Sequence, residues 1–500
     1  MKMKSFLAKP FAKMIVEKQR KDEQNPVEIQ LKWMQSLVKT AQKTAFGEDF
    51  RLKEVIEYQS FSDAIPLLDY ENLRPYIDRV VAGEENVLWK GKPKYFAKTS
   101  GTTSGVKFIP ISAQSIGYHI QGARNALLHY VNETGKSDFL DKNLIFLSGS
   151  PIMKQQHGIY TGRLSGIVNH HIPAYLKSNQ MPSFPINCIE DWESKLDAIV
   201  QETLPKPMSL ISGIPPWVQM YFDKLQAKTG KKIKDIFPDF SLMVYGGVNF
   251  EPYRARLFDS IGKAIDTIET YPASEGFIAY QDSQNSEGLL LLINAGIFYE
   301  FVELNHFYDP SPQRVHLGDV KIGVNYAIIL HTNAGLWGYI LGDTVKFVSL
   351  NPPRIVVTGR VKHFISAFGE HVIGEEVEKA MKFAMAKHPE VELTEFTVAP
   401  QVNDPDKYLP YHEWLIEFSR KPNNIIQFQD DLNTHLSLLN VYYQDLMTGR
   451  VLQPLKMTLL CKGAFVEFMK SEGKLGGQNK VPRLSNDRKI ADKLVFYKEM

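Results

Sequence analysis

Apolar residues recur along this chain in two alternating rhythms. Between residues 25 and 47, Met34, Leu37, Val38, Ala41 and Ala45 fall on one face of a helix. The stretch "NPVE" supplies Asn25 as N-cap, Pro26 at the first helical position and Glu28 at N3, and Gly47 stands where the helix is expected to stop. From there to about residue 290, short apolar runs such as "NLIFLSG", "SLMVYGG" and "AIDTIETY" alternate with helical stretches such as "WESKLDAIVQETL" and "WVQMYFDKLQAKTG". That alternation predicts an α/β fold. Residues 289–358 change texture: "LLLLINAGIFYEFVEL", "YAIILHT", "YILGDTVKFVSL" and "RIVVTGR" follow one another over short turns, which predicts an added antiparallel, β-barrel-like section. After "NPP" and "TGR", a helix "GEEVEKAMKFAMAKH", strands "FTVAP" and "WLIEF" and a helix through Ile425, Phe428, Leu432, Leu436 and Leu439 predict a small α+β domain. The expected division is 1–358 and 359–500, with no internal repeats or low-complexity tracts.

Composition narrows the class of function. A chain of 500 residues exceeds what one core supports, so more than one domain is expected. With 58 basic against 56 acidic residues the formal charge is +2, which creates no general field for nucleic acid and fits small-molecule chemistry better. Cys188 and Cys461 stand in no CxxC or Cys/His cluster, so neither a disulfide framework nor a zinc site is implied and a reducing cytoplasm is the expected compartment. The opening "MKMKSFLAKPFAKMIVEKQRK" lacks the unbroken apolar stretch of a signal peptide, and no run approaches a membrane span. This basic amphipathic segment is expected to be a helix packed on the body, with membrane-surface contact as the alternative.

Four segments carry candidate chemistry. In "KTSGTTSGVKFIPIS" (98–112), small and hydroxyl residues close on Lys107. Such a loop lets backbone N–H groups and a cation meet phosphate oxygens, and it also suits an ordinary surface turn. It is not a Walker A loop, because Gly101 and Gly105 enclose three residues rather than four and Phe108 follows the lysine. In "ETYPASEGF", Tyr271 offers a flat face to a base and Glu275 a carboxylate for Mg²⁺, or simply a solvated loop acid. In "GYILGDTVKF", Asp343 can accept two ribose hydroxyls or stabilise its own hairpin. In "VTGRVKHFISAFGEHVIGEEVEKAM", Arg360 supplies a rigid donor fork, and Glu375 and Glu376 suit a helix start. Histidines 119, 129, 157, 170 and 171 fit no Ser/His/Asp order and receive no catalytic role, while Trp217 and Tyr221 near the expected acyl region read more readily as core.

The order and spacing of these segments resemble the adenylate-forming superfamily of acyl-CoA synthetases, luciferases and peptide-synthetase adenylation domains. "SGTTSGVK" resembles its Ser/Thr/Gly-rich loop, and "YPASE" its Tyr-Gly-x-Thr-Glu element, with Pro272 for the glycine and Ser274 for the threonine. Gly342-Asp343 and a Gly-Arg hinge segment follow in the expected order. Within the superfamily the sequence most resembles the auxin-responsive (Gretchen Hagen type) acyl acid amido synthetases, including bacterial members. "TAFGEDF", "YPASEG" and the tail "GGQNKVPRLS" carry that likeness, which spans nearly the whole chain.

The resemblance implies that Ser100, Gly101, Thr102 and Thr103 with Lys107 embrace the phosphates of ATP and that Tyr271 lies against adenine, beside Ser274. Glu275 would bind Mg²⁺, Asp343 would take the ribose with Arg360 nearby, and Tyr245, Gly246 and Gly247 would line adenine and acyl group. Lys480 would act as a cation over the reacting groups. Lys362 and His363 stand where many superfamily members carry an aspartate, so Arg360 as hinge is the less direct match. The implied reaction activates a carboxylic acid as acyl-AMP and passes the acyl group to an amine such as an amino acid, with a small mobile C-terminal domain serving the two steps. An acyl-CoA ligase, or a nucleotide-binding protein without turnover, are the alternatives.

Overall fold

The computed structural model describes residues 3–100, 106–247, 250–361, 364–365, 372–401, 409–448, 452–474, 481–485 and 487–499. The chain divides into two compact units. One contains Met1–Val248, Ile261–Leu341 and Val345–Val357, and the other Asn249–Ser260, Gly342–Thr344 and Thr358–Met500.

The first unit is built on a twelve-stranded mixed sheet. Its parallel tract runs from Gln180–Met181 through Asn143–Phe146, Met208–Ser212 and Leu242–Gly246 to Asp266–Pro272. Met208–Ser212 and Leu242–Gly246, at the centre of this tract, are short apolar runs with residues buried on both faces, as parallel strands flanked by helices require. The intervening helices have local start and stop signals. Trp192–Thr203 begins where Asp191 accepts the Ser194 N–H at 2.8 Å, and Pro215–Thr229 begins on a proline and ends before Gly230 at φ +68°.

From Asp266–Pro272 the sheet continues through antiparallel Phe277–Tyr280 and Leu289–Leu291. It passes on through Pro353–Arg360, Tyr339–Leu350, Asn325–Thr332 and Ile297–Glu303 to the edge strand Arg314–His316. The β section expected over 289–358 is therefore antiparallel, and it hydrogen-bonds into the same sheet as the parallel tract. A smaller four-stranded sheet contains the hairpin Tyr95–Ser100 and Val106–Ile111.

The first predicted helix is Pro26–Ala41, with Met34, Leu37, Val38 and Ala41 buried as the stripe requires. It stops six residues before Gly47, which instead lies in a separate short helix, Ala45–Asp49, capped by Thr44. A Cβ on Gly47 would lie 2.0 Å from the Ala41 carbonyl oxygen, so this glycine serves a close backbone approach rather than a helix stop. The N-terminal segment forms one helix, Met3–Asp22, packed against Ser115–Thr134.

In the second unit, Glu392–Gln401 pairs antiparallel with Tyr411–Arg420, which pairs parallel with Lys456–Leu460. Helices Gly374–Lys387 and Ile425–Leu439 close its core through Val377, Met381, Trp414, Phe428, Leu432 and Leu436. Residues 249–260, most of the helix Glu251–Ile261, belong to this unit although they precede its main body by about a hundred residues.

Candidate functional site

The hairpin that carries Lys107 is set by strand register, Thr99 opposite Lys107 and Ser100 opposite Val106. Gly101, Thr102 and Thr103 lie between the paired strands in sequence and outside the described residues. Lys107 is half-buried, with its Nζ 5.3 Å from the centre of the Tyr70 ring, a cation–π distance. The hydroxyl of Tyr70 accepts the Phe108 N–H at 2.8 Å and so holds the backbone immediately after the lysine. Tyr70 opens the helix Tyr70–Val81, whose first turn is fixed by Asp69 accepting the Asn72 N–H at 3.0 Å.

Tyr245, Gly246 and Gly247 end one strand of the parallel tract, and Tyr271 to Glu275 follow from the end of its neighbour. The register sets Tyr245 against Glu269 and Gly246 against Thr270. Thr270 Oγ1 donates to the Tyr245 carbonyl at 2.9 Å. A Cβ on Gly246 would fall 2.2 Å from the Thr270 carbonyl oxygen, so only glycine permits this approach, and Gly247 turns away at φ +80°. Carboxyl ends of adjacent parallel strands are where open α/β sheets take ligands.

Ala273 and Gly276 then exchange backbone hydrogen bonds at 2.9 and 3.3 Å, closing a tight turn before Phe277 pairs back onto Pro272. This turn carries Ser274, buried, and Glu275, half-buried. Tyr271 is buried in the same hydrophobic cluster as Phe96, Ala97 and Ile109 of the lysine hairpin, and Ala273 and Phe108 pack against that cluster. One core thus supports both the lysine hairpin and the carboxylate turn. Among the described residues no three histidine, cysteine, aspartate or glutamate side chains cluster as a metal cage. A protein carboxylate such as that of Glu275 is the kind of ligand Mg²⁺ takes, one or two at a time, with water and substrate phosphates completing its shell.

Four of the histidines singled out in the sequence, His119, His129, His170 and His171, are held by the fold. His119 is buried on Ser115–Thr134 with neither ring nitrogen bonded among the described residues, and burial pushes it down to about 4. His129 is likewise pushed down to about 4 by burial. His171 Nε2 lies 2.7 Å from the Tyr95 hydroxyl and His170 Nε2 2.8 Å from the Pro151 carbonyl. Trp217 and Tyr221 are core, with the Tyr221 hydroxyl 2.6 Å from Thr203 Oγ1.

In the second unit, Arg360 Nε donates to Asp343 Oδ1 at 2.6 Å. Nearby the Val361 N–H reaches the Gly342 carbonyl at 2.7 Å and Thr358 bonds Thr344 at 2.9 Å. The two residues expected at the ribose are therefore an ion pair on neighbouring segments. Lys480 lies outside the described residues, as do Lys362 and His363. Three positions after Lys480, Arg483 is largely but not fully enclosed and donates to Glu378 at 3.0 Å, to Glu395, to the Phe396 carbonyl at 3.1 Å and to the Tyr253 hydroxyl at 2.7 Å. The Tyr253 hydroxyl in turn donates to Glu395 at 2.6 Å. The tail that holds Arg483 is legible in the sequence only as a family likeness, and no local signal marks Tyr70 or Tyr253.

Comparison with known proteins finds family likeness over most of the chain. Residues 15–193 match the GH3 family N-terminal domain, 290–360 its central domain and 375–489 its C-terminal domain. An indole-3-acetic acid-amido synthetase, GH3.15 of Arabidopsis thaliana, is 23% identical over 92% of this chain and 90% of its own length. The solved GH3.15 acyl acid amido synthetase superposes with a TM-score of 0.80 at 16% identity, covering 98% of this chain and 97% of that one. A 2-hydroxyisobutyryl-CoA ligase, solved in the postadenylation state with R3-HIB-AMP, shares the fold at a TM-score of 0.61 and 12% identity, over 93% of this chain and 90% of that one. With three domain signatures in order across most of its length, the chain belongs to the GH3 family.

Proposed function

We propose that this protein is an ATP-dependent acyl acid amido synthetase that activates a small carboxylic acid as acyl-AMP and transfers the acyl group to an amino acid or similar amine. The observation that carries the reading is the pairing, at adjacent parallel strand ends, of Tyr245–Gly247 with the turn that bears Glu275, on the core that also supports the Lys107 hairpin. A GH3 chain with those three elements has parts suited to a nucleoside triphosphate.

The chemistry assigns each part a task. A free carboxylate is a poor acyl donor, because oxide would have to leave. Attack of a carboxylate oxygen on the α-phosphorus of ATP forms the mixed anhydride and expels pyrophosphate. Lys107 and the N–H groups of its loop stabilise charge building on the phosphate oxygens. Glu275 is the residue that would hold Mg²⁺, whose charge lowers the cost of bringing the acid to the phosphates. Tyr271 and Tyr245 with its glycines form the adenine side, and Ser100 to Thr103 the phosphate side. Asp343, oriented by Arg360, accepts the ribose hydroxyls, and Lys480 supplies a second cation. The amine nitrogen then attacks the acyl carbon, the acyl–phosphate oxygen bond breaks, AMP leaves and the amide remains.

Cys188 and Cys461 are both free thiols, and no described helix is long and apolar enough to cross a membrane. We assign the enzyme to the cytoplasm. The test is pyrophosphate release from Mg·ATP across aryl, indolyl and aliphatic acids, with and without amino acids, beside Glu275→Ala. Acid-dependent release that the variant loses, with an amide in the mass spectrum, is the expected result. A thioester formed only with CoA would move the protein to the ligase reading, and no release with any acid would overturn it as an enzyme of this class.

A further inference from the structure

The helix Met3–Asp22 is packed inside out. A helix on a protein surface normally buries its large apolar side chains and exposes its small and polar ones. Here the residues that face the body are Ser5, Ala8, Ala12 and Val16, all buried and spaced three or four apart. Their small size lets the helix lie close against Ser115–Thr134, and polar ties complete the seat. Lys4 N–H donates to Asp141 at 3.1 Å, Lys4 Nζ to Asn179 at 2.8 Å, and Gln19 meets the Tyr280 hydroxyl at 2.7 Å.

Ile15 packs against the core, but four other large apolar residues of the helix point away from the protein. Phe6 is 75% exposed, Leu7 57%, Met14 56% and Phe11 37%, and Pro10 lies exposed between them. They occupy one outward arc of the first three turns. Such a contiguous patch on a docked helix marks a surface built for contact.

Charge identifies the partner. The helix carries six basic residues against two acidic ones, a surplus of four, whereas the entire chain has a surplus of only two. Lys9 and Lys13 flank the apolar arc, Lys18 and Lys21 continue it toward the end of the helix, and the Arg124 guanidinium lies 5.6 Å from the Phe11 ring. Glu17 is paired with Lys13 at 4.0 Å. A second copy of the chain would bring the same positive face against itself. An anionic lipid surface instead offers headgroup phosphates and carboxylates to the lysines and an acyl boundary to the phenylalanines. We infer that this helix docks the protein peripherally on anionic membranes, with Phe6, Leu7, Phe11 and Met14 inserted at the headgroup–acyl boundary.

The experiment is co-sedimentation of the full chain with vesicles of phosphatidylcholine alone and of phosphatidylcholine mixed with phosphatidylserine, at low and high salt. The proteins compared are the native chain, Phe6→Ser with Phe11→Ser, and Lys9→Glu with Lys13→Glu. The native chain is expected to bind the mixed vesicles at least about tenfold better than the neutral ones, and to be released by salt. Each double variant should lose about tenfold or more of that binding at an unchanged far-ultraviolet circular dichroism spectrum and melting midpoint. Equal binding to both vesicles, binding to neither, or variants that bind like the native chain would overturn the inference. So would a dimer by light scattering that Phe6→Ser with Phe11→Ser disperses, since the face would then belong to a second copy.

Discussion

The Arg483 guanidinium donates to the Tyr253 hydroxyl at 2.7 Å, joining two residues 230 positions apart inside one compact unit. Arg483 also neutralises Glu378 and Glu395, and all three charged side chains are about one-seventh exposed. Removing the cation would leave two carboxylates buried without a counter-charge. Arg483→Met is therefore expected to cost about 3 to 5 kcal/mol in the second unit. Tyr253→Phe, which deletes one shared hydroxyl, should cost about 1 to 3 kcal/mol. Arg483→Lys should recover only part of the loss, because a single ammonium cannot replace a fork that reaches four acceptors. Urea unfolding followed by tryptophan fluorescence, with Trp414 in that core, reports it. An unchanged midpoint in Arg483→Met would mean that the network contributes nothing.

The Asp343–Arg360 contact predicts a different balance. Arg360 is more than half exposed, so the ion pair itself is worth less than about 1 kcal/mol. Arg360→Ala should leave the melting midpoint nearly unchanged. If Asp343 receives the ribose hydroxyls, Asp343→Ala should raise the KM for ATP by about tenfold or more, and Asn should be better tolerated than Ala because it keeps one acceptor oxygen. A lowered kcat at unaltered KM would remove Asp343, which lies within the strand Tyr339–Leu350 rather than at a hairpin turn, from ribose binding and leave it its pairing with Arg360.

What could be read from the chain alone follows from how far each signal reaches. Strand and helix rhythms are local, so Leu242–Gly246, Asp266–Pro272, Trp192–Thr203 and Gly374–Lys387 fall where the apolar pattern places them. The Tyr245 and Tyr271 segments are separate motifs in sequence, and parallel register makes them neighbours. Long-range partners carry no such periodicity. Nothing around Tyr70 announces that its hydroxyl will hold the backbone after Lys107, and nothing around Tyr253 announces that its helix will join the second unit. Gly47 departs from its sequence expectation for the same reason. A glycine that ends a helix and one that admits a distant carbonyl look identical until the chain is folded.

Gly276 supplies a test of the carboxylate turn. A Cβ there would lie 2.4 Å from Ile297 Cδ1, a contact with the end of a side chain rather than with backbone. Gly276→Ala should destabilise by about 1 to 3 kcal/mol through overpacking and should slow acid-dependent pyrophosphate release by shifting Glu275. Ile297→Val removes the offending methyl at a cost of about 1 kcal/mol on its own. The double variant should then be more stable than the sum of the singles implies and recover much of the activity. Strict additivity would place the effect of the alanine elsewhere than at Ile297.

His119 makes the fold sensitive to acid. Its ordinary value of 6.5 falls to about 4 because burial disfavours the charged ring, so the native state keeps it neutral while the unfolded chain takes up a proton below 6.5. The unfolded state then binds more protons, and stability is lost as the pH falls from 6.5 toward 4. The slope approaches about 1.4 kcal/mol per pH unit for each such group. His129, also pushed down to about 4 by burial, adds to the same loss. His119 has no hydrogen-bond partner among the described residues, so His119→Leu keeps much of the volume without orphaning a neighbour. The urea midpoint of the native protein should drop between about pH 7 and pH 5, and the drop should be smaller in His119→Leu by about one histidine's share. Parallel pH profiles for the two proteins would show that His119 is already protonated in the folded state, or that it reaches water there. Either result would contradict a neutral, sealed ring on the helix that carries the N-terminal segment.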